Sequence, residues 1–139
     1  GPGPGDPRDS SDPKISHIQR LAAELLAQDK LKFYGICLGH QILSHMLGFT
    51  LEKLPLPRQG VQEKINLFGE ETDLAFYNTF AARAPESPPS WLDIASGEDG
   101  FIHAIRGEMF GSIQGHPESV LSKDGYTLLY RELSRLLVD

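Results

Sequence analysis

The only cysteine of the chain, Cys37, lies between two glycines in the segment Gly35-Ile36-Cys37-Leu38-Gly39. Apolar residues precede it and helical spacing follows it. This pattern predicts a nucleophile elbow, in which a tight strand-to-helix turn presents the reactive side chain. Glycines fit both flanks because a Cβ there would collide with the turn, and the free N–H groups of the helix start should favour the thiolate. The alternative is a small buried hydrophobic residue, as most lone cysteines are.

A second motif, in residues 114–119, supplies the groups that thiol catalysis of acyl transfer needs beside the sulfur. His116 can take the thiol proton and return it to a leaving amine, and Glu118 can hold the imidazole in the right tautomer. Pro117 restricts the backbone between them, which predicts a rigid loop after a strand. Taken alone, the motif is more typical of a solvated loop. Together with the elbow it predicts a triad of Cys37, His116 and Glu118.

The two motifs, Gly-Ile-Cys-Leu-Gly-His-Gln at 35–41 and His-Pro-Glu-Ser at 116–119, resemble those of class I (triad) glutamine amidotransferases. Residues 1–7 match the oxyanion-loop motif of that family, and the resemblance covers essentially the whole chain. Within the family, the sequence is most similar to the chorismate-dependent subgroup, which comprises anthranilate synthase, aminodeoxychorismate synthase and the phenazine-type 2-amino-2-desoxyisochorismate synthase. Residues 59–62 and 76–82 are most similar to the phenazine-type enzyme.

The resemblance implies that the domain hydrolyses L-glutamine through the triad and passes ammonia through a channel to a chorismate-converting synthase. One oxyanion-hole N–H is expected from the loop at the start of the chain and the other from the residue after the nucleophile. The backbone at two later positions is expected to hold the glutamine. The substrate-binding residues implied in this way are Gly3, Pro4, Gly5, Leu38, Gln41, Thr79 and Phe80.

The resemblance also implies partners and surroundings for the domain. The synthase would use Mg²⁺, whereas no cofactor and no metal are expected in this domain. His40 and His45 lie near the cysteine, but no second thiolate or spaced ligand set supports zinc. A dimer formed through the synthase and a cytoplasmic location are expected. Two alternatives remain open: an amidotransferase serving GMP, CTP or carbamoyl phosphate synthesis, and a non-catalytic, truncated scaffold domain.

Length and composition set the remaining bounds. The chain has 139 residues, of which 40% are hydrophobic and 23% charged, with a net charge of −6. These values are typical of one soluble domain over residues 1–139. No basic stripe favours nucleic acid, no apolar run is long enough for a membrane span, and a lone cysteine suits a reducing compartment.

The chain opens without Met, inside the expected oxyanion loop, whereas family domains carry further strands and a helix upstream. We therefore expect the amidotransferase domain to lack its N-terminal part here. A vector scar at residues 1–5 is the alternative, although Asp6-Pro7-Arg8-Asp9 continues the family pattern. Gly115 departs from the family, which usually has an aromatic residue before the catalytic His, and this predicts a looser loop around His116.

Alternation of helical and strand patterns predicts an α/β fold. Its central, mainly parallel sheet would be flanked by helices, with a small antiparallel extension from residues 49–77 and 91–114. Cys37 would lie at the carboxyl end of a central strand, where open α/β sheets place their sites. The predicted helices span 13–27, 38–47 and 125–138, and the predicted strands span 33–36, 49–54, 61–67, 74–77, 91–96, 101–105 and 110–114.

Overall fold

The computed structural model of the chain describes residues 5–138, so the contacts expected of Gly3 and Pro4 lie outside the described residues. The elements, in chain order, are α1 (Pro13–Gln28), β1 (Phe33–Ile36), α2 (Leu38–Met46), β2 (Leu51–Lys53), β3 (Val61–Leu67), β4 (Glu70–Phe76), β5 (Phe80–Ala82), β6 (Asp93–Ser96), β7 (Ile102–Arg106), β8 (Phe110–Ile113) and α3 (Gly125–Leu137). In this part of the chain, no helix has the length and apolarity that crossing a bilayer requires.

The main sheet has four strands in the order β1-β8-β7-β6, and the pairs β2/β5 and β3/β4 form two separate antiparallel ribbons. The α/β class with a mixed sheet flanked by helices is confirmed. Among the described strands only β1 and β8 pair in parallel, so the sheet is mixed rather than mainly parallel. Strand β1 lies at its edge and is only half-buried, because β8 is its single described partner.

Successive side chains of β1 point to opposite faces of the sheet. Phe33 packs into the cluster that contains Leu43 of α2, whereas Tyr34 and Ile36 pack into the cluster that contains Leu128 of α3. Both faces of the strand are therefore covered by apolar residues, as its unbroken apolar sequence predicts. Packing on both faces holds β1 in place directly before Cys37.

Helix α1 begins as the sequence predicts, with the Asp12 side chain accepting hydrogen bonds from the N–H groups of Lys14 and Ile15. Its apolar face packs against α2. Gln19 is buried on that face and donates its amide N–H to the Pro7 carbonyl at 3.0 Å. A polar residue at a core position thus ties the segment that carries Gly5 to the helix.

Two local features differ from the sequence expectation. The short strand β5 (Phe80–Ala82) pairs with β2, although no strand is predicted at these residues from the sequence. The turn between β3 and β4 falls at Phe68 and Gly69, both with positive φ, and β4 begins at Glu70 rather than at residue 74. Three residues, as in β5, are too few to show the alternation that predicts a strand. The pairing partner of this strand is also distant in the chain, so it leaves no local signal.

The loop that carries His116 is fixed by backbone contacts. The His116 N–H donates to the Ala75 carbonyl at 2.8 Å, and Ser122 Oγ donates to the His116 carbonyl at 2.5 Å. Ser122 Oγ in turn accepts from the Ala75 N–H at 2.9 Å. Strand β4 thus holds this backbone although no aromatic side chain precedes His116, and the looser loop expected from Gly115 stays a prediction.

We expect Gly115→Phe to destabilise the protein. A Cβ added at Gly115 would lie 3.1 Å from the Leu74 Cβ and 3.2 Å from the Ala75 carbonyl oxygen, so a phenyl ring overpacks this contact at a cost of about 1–3 kcal/mol. Thermal unfolding measures the effect, with Val120→Phe as the control because Val120 is exposed on the same loop. A Gly115→Phe protein as stable as the parent would contradict the packing described here.

His40 joins α2 to β8 inside the core. Its Nδ1 lies 2.7 Å from Ser112 Oγ, and its side chain has no exposed surface. Burial, with a smaller contribution from His103, lowers the pKa of His40 to about 3. The ring is therefore neutral across the physiological range, which suits a structural link rather than a proton carrier.

The lowered pKa of His40 predicts acid sensitivity. The unfolded chain takes up this proton near pH 6.5, but the folded protein does so only near pH 3. Stability is thus lost as the pH falls through that window, at a limiting slope of about 1.4 kcal/mol per pH unit. Urea unfolding of His40→Gln between pH 7 and pH 4 should show a shallower slope than the parent. His17→Gln, at an exposed position, should keep the parent's slope, and equal slopes in both variants would contradict the assignment.

Candidate active site

Cys37 occupies a positive-φ backbone conformation between β1 and α2, with φ 56° and ψ −103°. Such a conformation is strained for a residue that carries a Cβ. Two backbone hydrogen bonds hold it: the Cys37 N–H donates to Ile113 at 2.9 Å, and the Gln41 N–H donates to Cys37 at 3.0 Å. A Cβ at Gly35 would lie 2.8 Å from the Gly39 carbonyl carbon. The steric requirement predicted for the flanking glycines is thus present at Gly35.

The Cys37 thiol is buried, with 6% of the residue exposed. Burial raises the pKa of Cys37 above its ordinary value, and the Leu38 N–H opposes this shift while the Glu118 carboxylate adds to it. The helix-start N–H therefore acts in the direction predicted from the sequence, but desolvation outweighs it. The resting form is the thiol, so a base must remove its proton before the sulfur can react.

His116 and Glu118 are in direct contact. Nδ1 of His116 donates to Oε1 of Glu118 at 2.5 Å, which leaves Nε2 as the unprotonated ring nitrogen of the neutral imidazole. Nε2 is buried and has no hydrogen-bond partner among the described residues. The Tyr77 ring meets the imidazole edge-on at 5.2 Å between centroids, and Tyr77 Oη lies 3.2 Å from Ser119 Oγ.

Cys37 and His116 open on one cavity of about 640 Å³. Gly5, Gln41, Thr79 and Phe80, which the sequence predicts as binding residues, line the same cavity. Leu38 does not line it, but its N–H reaches the sulfur. The structure thus brings the predicted site residues that it describes to one place. The remaining lining residues are Asp6, Lys53, Gln59, Tyr77 and Asn78.

Two amide side chains connect the cavity wall to the sulfur. Nε2 of Gln41 donates to the Phe80 carbonyl at 2.8 Å and approaches Oε1 of Gln114 at 3.2 Å. Nε2 of Gln114 lies 3.8 Å from the Cys37 sulfur. Asn78 Nδ2 donates to the same Phe80 carbonyl at 2.9 Å. Gln114 lies in the 114–119 motif, but the sequence alone assigns it no role, because contacts between residues 73 or more apart leave no local signal.

No metal site accompanies these groups in residues 5–138, where no set of three or more His, Cys, Asp or Glu side chains is placed to hold an ion. A second cavity of about 520 Å³ lies near His103 and the turn at 96–99. Its carboxylates include Glu63 and Asp99, which pair with Arg58 at 3.5 and 3.8 Å. Neither Cys37 nor His116 lines it, so the candidate chemistry is confined to the 640 Å³ cavity.

Comparison with solved structures shows the fold. The crystal structure of a glutamine amidotransferase from Thermotoga maritima matches 99% of this chain and 63% of that chain, with a TM-score of 0.62 and 18% sequence identity. The shared architecture is the mixed α/β sheet with its flanking helices.

Comparison with curated proteins gives closer sequence relatives. The chain is 40% identical over 147 residues to a phenazine-specific anthranilate synthase of Pseudomonas chlororaphis, covering 99% of this chain and 22% of that protein. It is 30% identical over 145 residues to an aminodeoxychorismate synthase of Streptomyces griseus, covering 96% of this chain and 19% of that protein. The chain thus spans about a fifth of the length of these two relatives.

The model of one protein family, described as glutamine amidotransferase class-I, matches residues 1–136. That match covers both the cysteine elbow and the loop that carries His116. The chain belongs to the class I glutamine amidotransferase family.

Proposed function

We propose that this domain hydrolyses L-glutamine to glutamate and ammonia, with Cys37, His116 and Glu118 as its catalytic triad. One observation carries the proposal: a strained, buried thiol and a histidine held by a carboxylate open on the same cavity. The raised pKa of Cys37 is consistent with it. A thiol that is protonated at rest needs the unpaired Nε2 of His116 as its base.

The reaction follows from these positions. Cys37 Sγ attacks the side-chain amide carbon of glutamine while its proton passes to His116 Nε2. The Leu38 and Gly5 N–H groups stabilise the oxyanion of the tetrahedral intermediate. His116 then protonates the departing ammonia, which leaves a glutamyl thioester on Cys37. Water attacks the thioester with His116 as base, and glutamate and the free thiol are released.

The cavity wall offers contacts for an amino acid. The Leu54 N–H donates to the Thr79 carbonyl at 2.7 Å, so the adjacent residues Lys53 and Phe80 form a non-hydrogen-bonded pair across β2 and β5. The N–H of Phe80 consequently points away from β2, towards the side where its carbonyl meets Gln41. It can donate to the substrate, whereas the Phe80 carbonyl already accepts two protein N–H groups.

The names of two relatives support a proposal for the ammonia acceptor. Two of them are named as chorismate-pathway synthases, an anthranilate synthase and an aminodeoxychorismate synthase. We propose accordingly that the ammonia passes through a channel to a chorismate-converting synthase domain or subunit that uses Mg²⁺. A dimer formed through that synthase and a cytoplasmic location belong to the same proposal.

Replacing the nucleophile tests the chemistry. In the intact protein, Cys37→Ser should lower glutamine consumption by at least about a thousandfold, because the triad acts as a unit. Product formation from added ammonium salt should persist at the parent's rate, which is the internal control for folding and for the synthase. Glutamine consumption at the parent's rate in Cys37→Ser would overturn the mechanism.

The synthase class is tested by the effect of its substrate on glutamine turnover. Chorismate should raise the rate of glutamate release several-fold or more, since gating by the acceptor avoids loss of ammonia. Xanthosine monophosphate, UTP, and bicarbonate with ATP serve as the matched comparisons for GMP, CTP and carbamoyl phosphate synthesis. Stimulation by one of these, and not by chorismate, would assign the domain to that other synthase class.

The non-catalytic alternative has its own readout. A glutamine-mimicking electrophile should label Cys37 of the folded protein in a stoichiometric, glutamine-protectable manner, measured by intact mass and peptide mapping. A folded sample whose Cys37 remains unlabelled would favour a scaffold role.

A further inference from the structure

The orientation of two buried amides can be deduced from one main-chain carbonyl. The Phe80 carbonyl oxygen can only accept, so the Gln41 atom 2.8 Å from it must be the Nε2 donor. The same Nε2 lies 3.2 Å from the Gln114 side chain, which must therefore present its oxygen. The remaining end of the Gln114 amide, its NH₂ group, then lies against the Cys37 sulfur at 3.8 Å.

No alternative arrangement satisfies these contacts as well. Turning the Gln114 amide over would set two N–H donors against each other at Gln41 and would leave the Gln114 oxygen against the sulfur. Both residues are almost fully buried, at 5% and 2% exposed, so water could not relieve the mismatch. The orientation of the hydrogen bonds that link Phe80, Gln41, Gln114 and Cys37 is thus fixed, and an N–H donor faces the sulfur.

We propose that Gln114 is a further catalytic residue, whose side-chain N–H stabilises the Cys37 thiolate, and that Gln41 is the positioning residue that orients it. This assignment rests on the proposed function, since it takes Cys37 as the nucleophile. A donor at the sulfur gains strength when the thiol loses its proton, because hydrogen bonds to an ion are about twice as strong as neutral ones. It therefore offsets part of the desolvation that disfavours the thiolate.

The same arrangement gives Gln41 a defined role towards the substrate. Its two N–H groups are directed at Phe80 and Gln114, so only its Oε1 remains for a ligand in the cavity that it lines. Gln41 would accordingly accept a hydrogen bond from glutamine rather than donate one. The Gln41 side chain would then both bind the substrate and orient the donor that stabilises the thiolate.

The sulfur has other titratable neighbours that remain constant in the test. His116 and Glu118 approach from the loop after β8, while Asp6 and Lys53 line the cavity. His40, within α2, is held neutral by burial. Replacing Gln114 alters none of these groups, so a change in the titration of Cys37 can be assigned to the lost donor.

The experiment compares Gln114→Met and Gln114→Glu in the intact protein. The rate at which iodoacetamide alkylates Cys37 is followed from pH 6 to pH 10 on the Cys37-containing peptide by mass spectrometry. Below the thiol pKa this rate is proportional to the thiolate fraction, so its ratio to the parent's rate gives the change in pKa. Gln114→Met should raise that pKa by about one unit, corresponding to the loss of a hydrogen bond to a charged group. Gln114→Glu keeps the acceptor for Gln41 but replaces the donor with an oxygen, so it should raise the pKa further.

Steady-state kinetics and a control variant separate this role from a structural one. Gln114→Met should lower kcat for glutamine about tenfold near neutral pH with KM little changed. Gln19→Met also removes a buried amide that donates to a main-chain carbonyl, but Gln19 does not line the cavity that holds Cys37. It should lower the thermal midpoint and leave the thiol pKa at the parent's value.

Two outcomes would overturn the assignment. One is a thiol pKa that stays at the parent's value in the folded Gln114 variants, and the other is an equal rise in Gln19→Met. The Gln114→Glu side chain has the same shape as the original, so it decides the matter if the methionine variant does not fold. Alkylation needs no glutamine turnover, and a parent protein without glutaminase activity would overturn the proposed function alone.

Discussion

The site depends on one constraint: Cys37 must adopt a positive φ, which is unfavourable for a residue that carries a Cβ. A conformation of this kind costs about 1–3 kcal/mol and persists only where the surrounding structure determines it. Here β8 supplies the acceptor for the Cys37 N–H, and the first turn of α2 takes its carbonyl. Gly35 permits the close approach of Gly39 that the turn requires. In this conformation Cys37 lines the cavity that His116 also lines.

Burial of the sulfur sets a second condition on the chemistry. Desolvation raises the pKa of Cys37, and the nearby Glu118 carboxylate adds to this effect, whereas the Leu38 N–H opposes it. A thiol that is neutral at rest resists oxidation and adventitious alkylation. It becomes reactive only when a neighbouring base accepts its proton and fixed donors receive the resulting charge. Preorganised N–H groups serve this purpose well, since they need no rearrangement during the reaction.

Local sequence signals predicted the elements that frame the site. Glycines around Cys37, the Asp12 cap with Pro13, and the proline after His116 are short-range features, and the structure places β1, α1 and the His116 loop accordingly. The long-range features could not be read in this way. The edge position of β1 depends on which strands pair, and the contact of Tyr77 with His116 joins distant segments. Gln114 was visible in the sequence, but its contact with the sulfur is a tertiary property.

Alternate side chains along strand β8 and the residue that follows it position several groups of the site. Phe110 packs into the core cluster beside α2, Ser112 meets His40 of α2, and Gln114, two residues further, reaches Cys37 and Gln41. Ile113 instead packs into the cluster beside α3. A slip of one residue would turn all of these side chains to the opposite face. The apolar burial that fixes the register of β8 therefore also fixes which polar group meets the sulfur, so packing and reactivity at this site are set by the same strand.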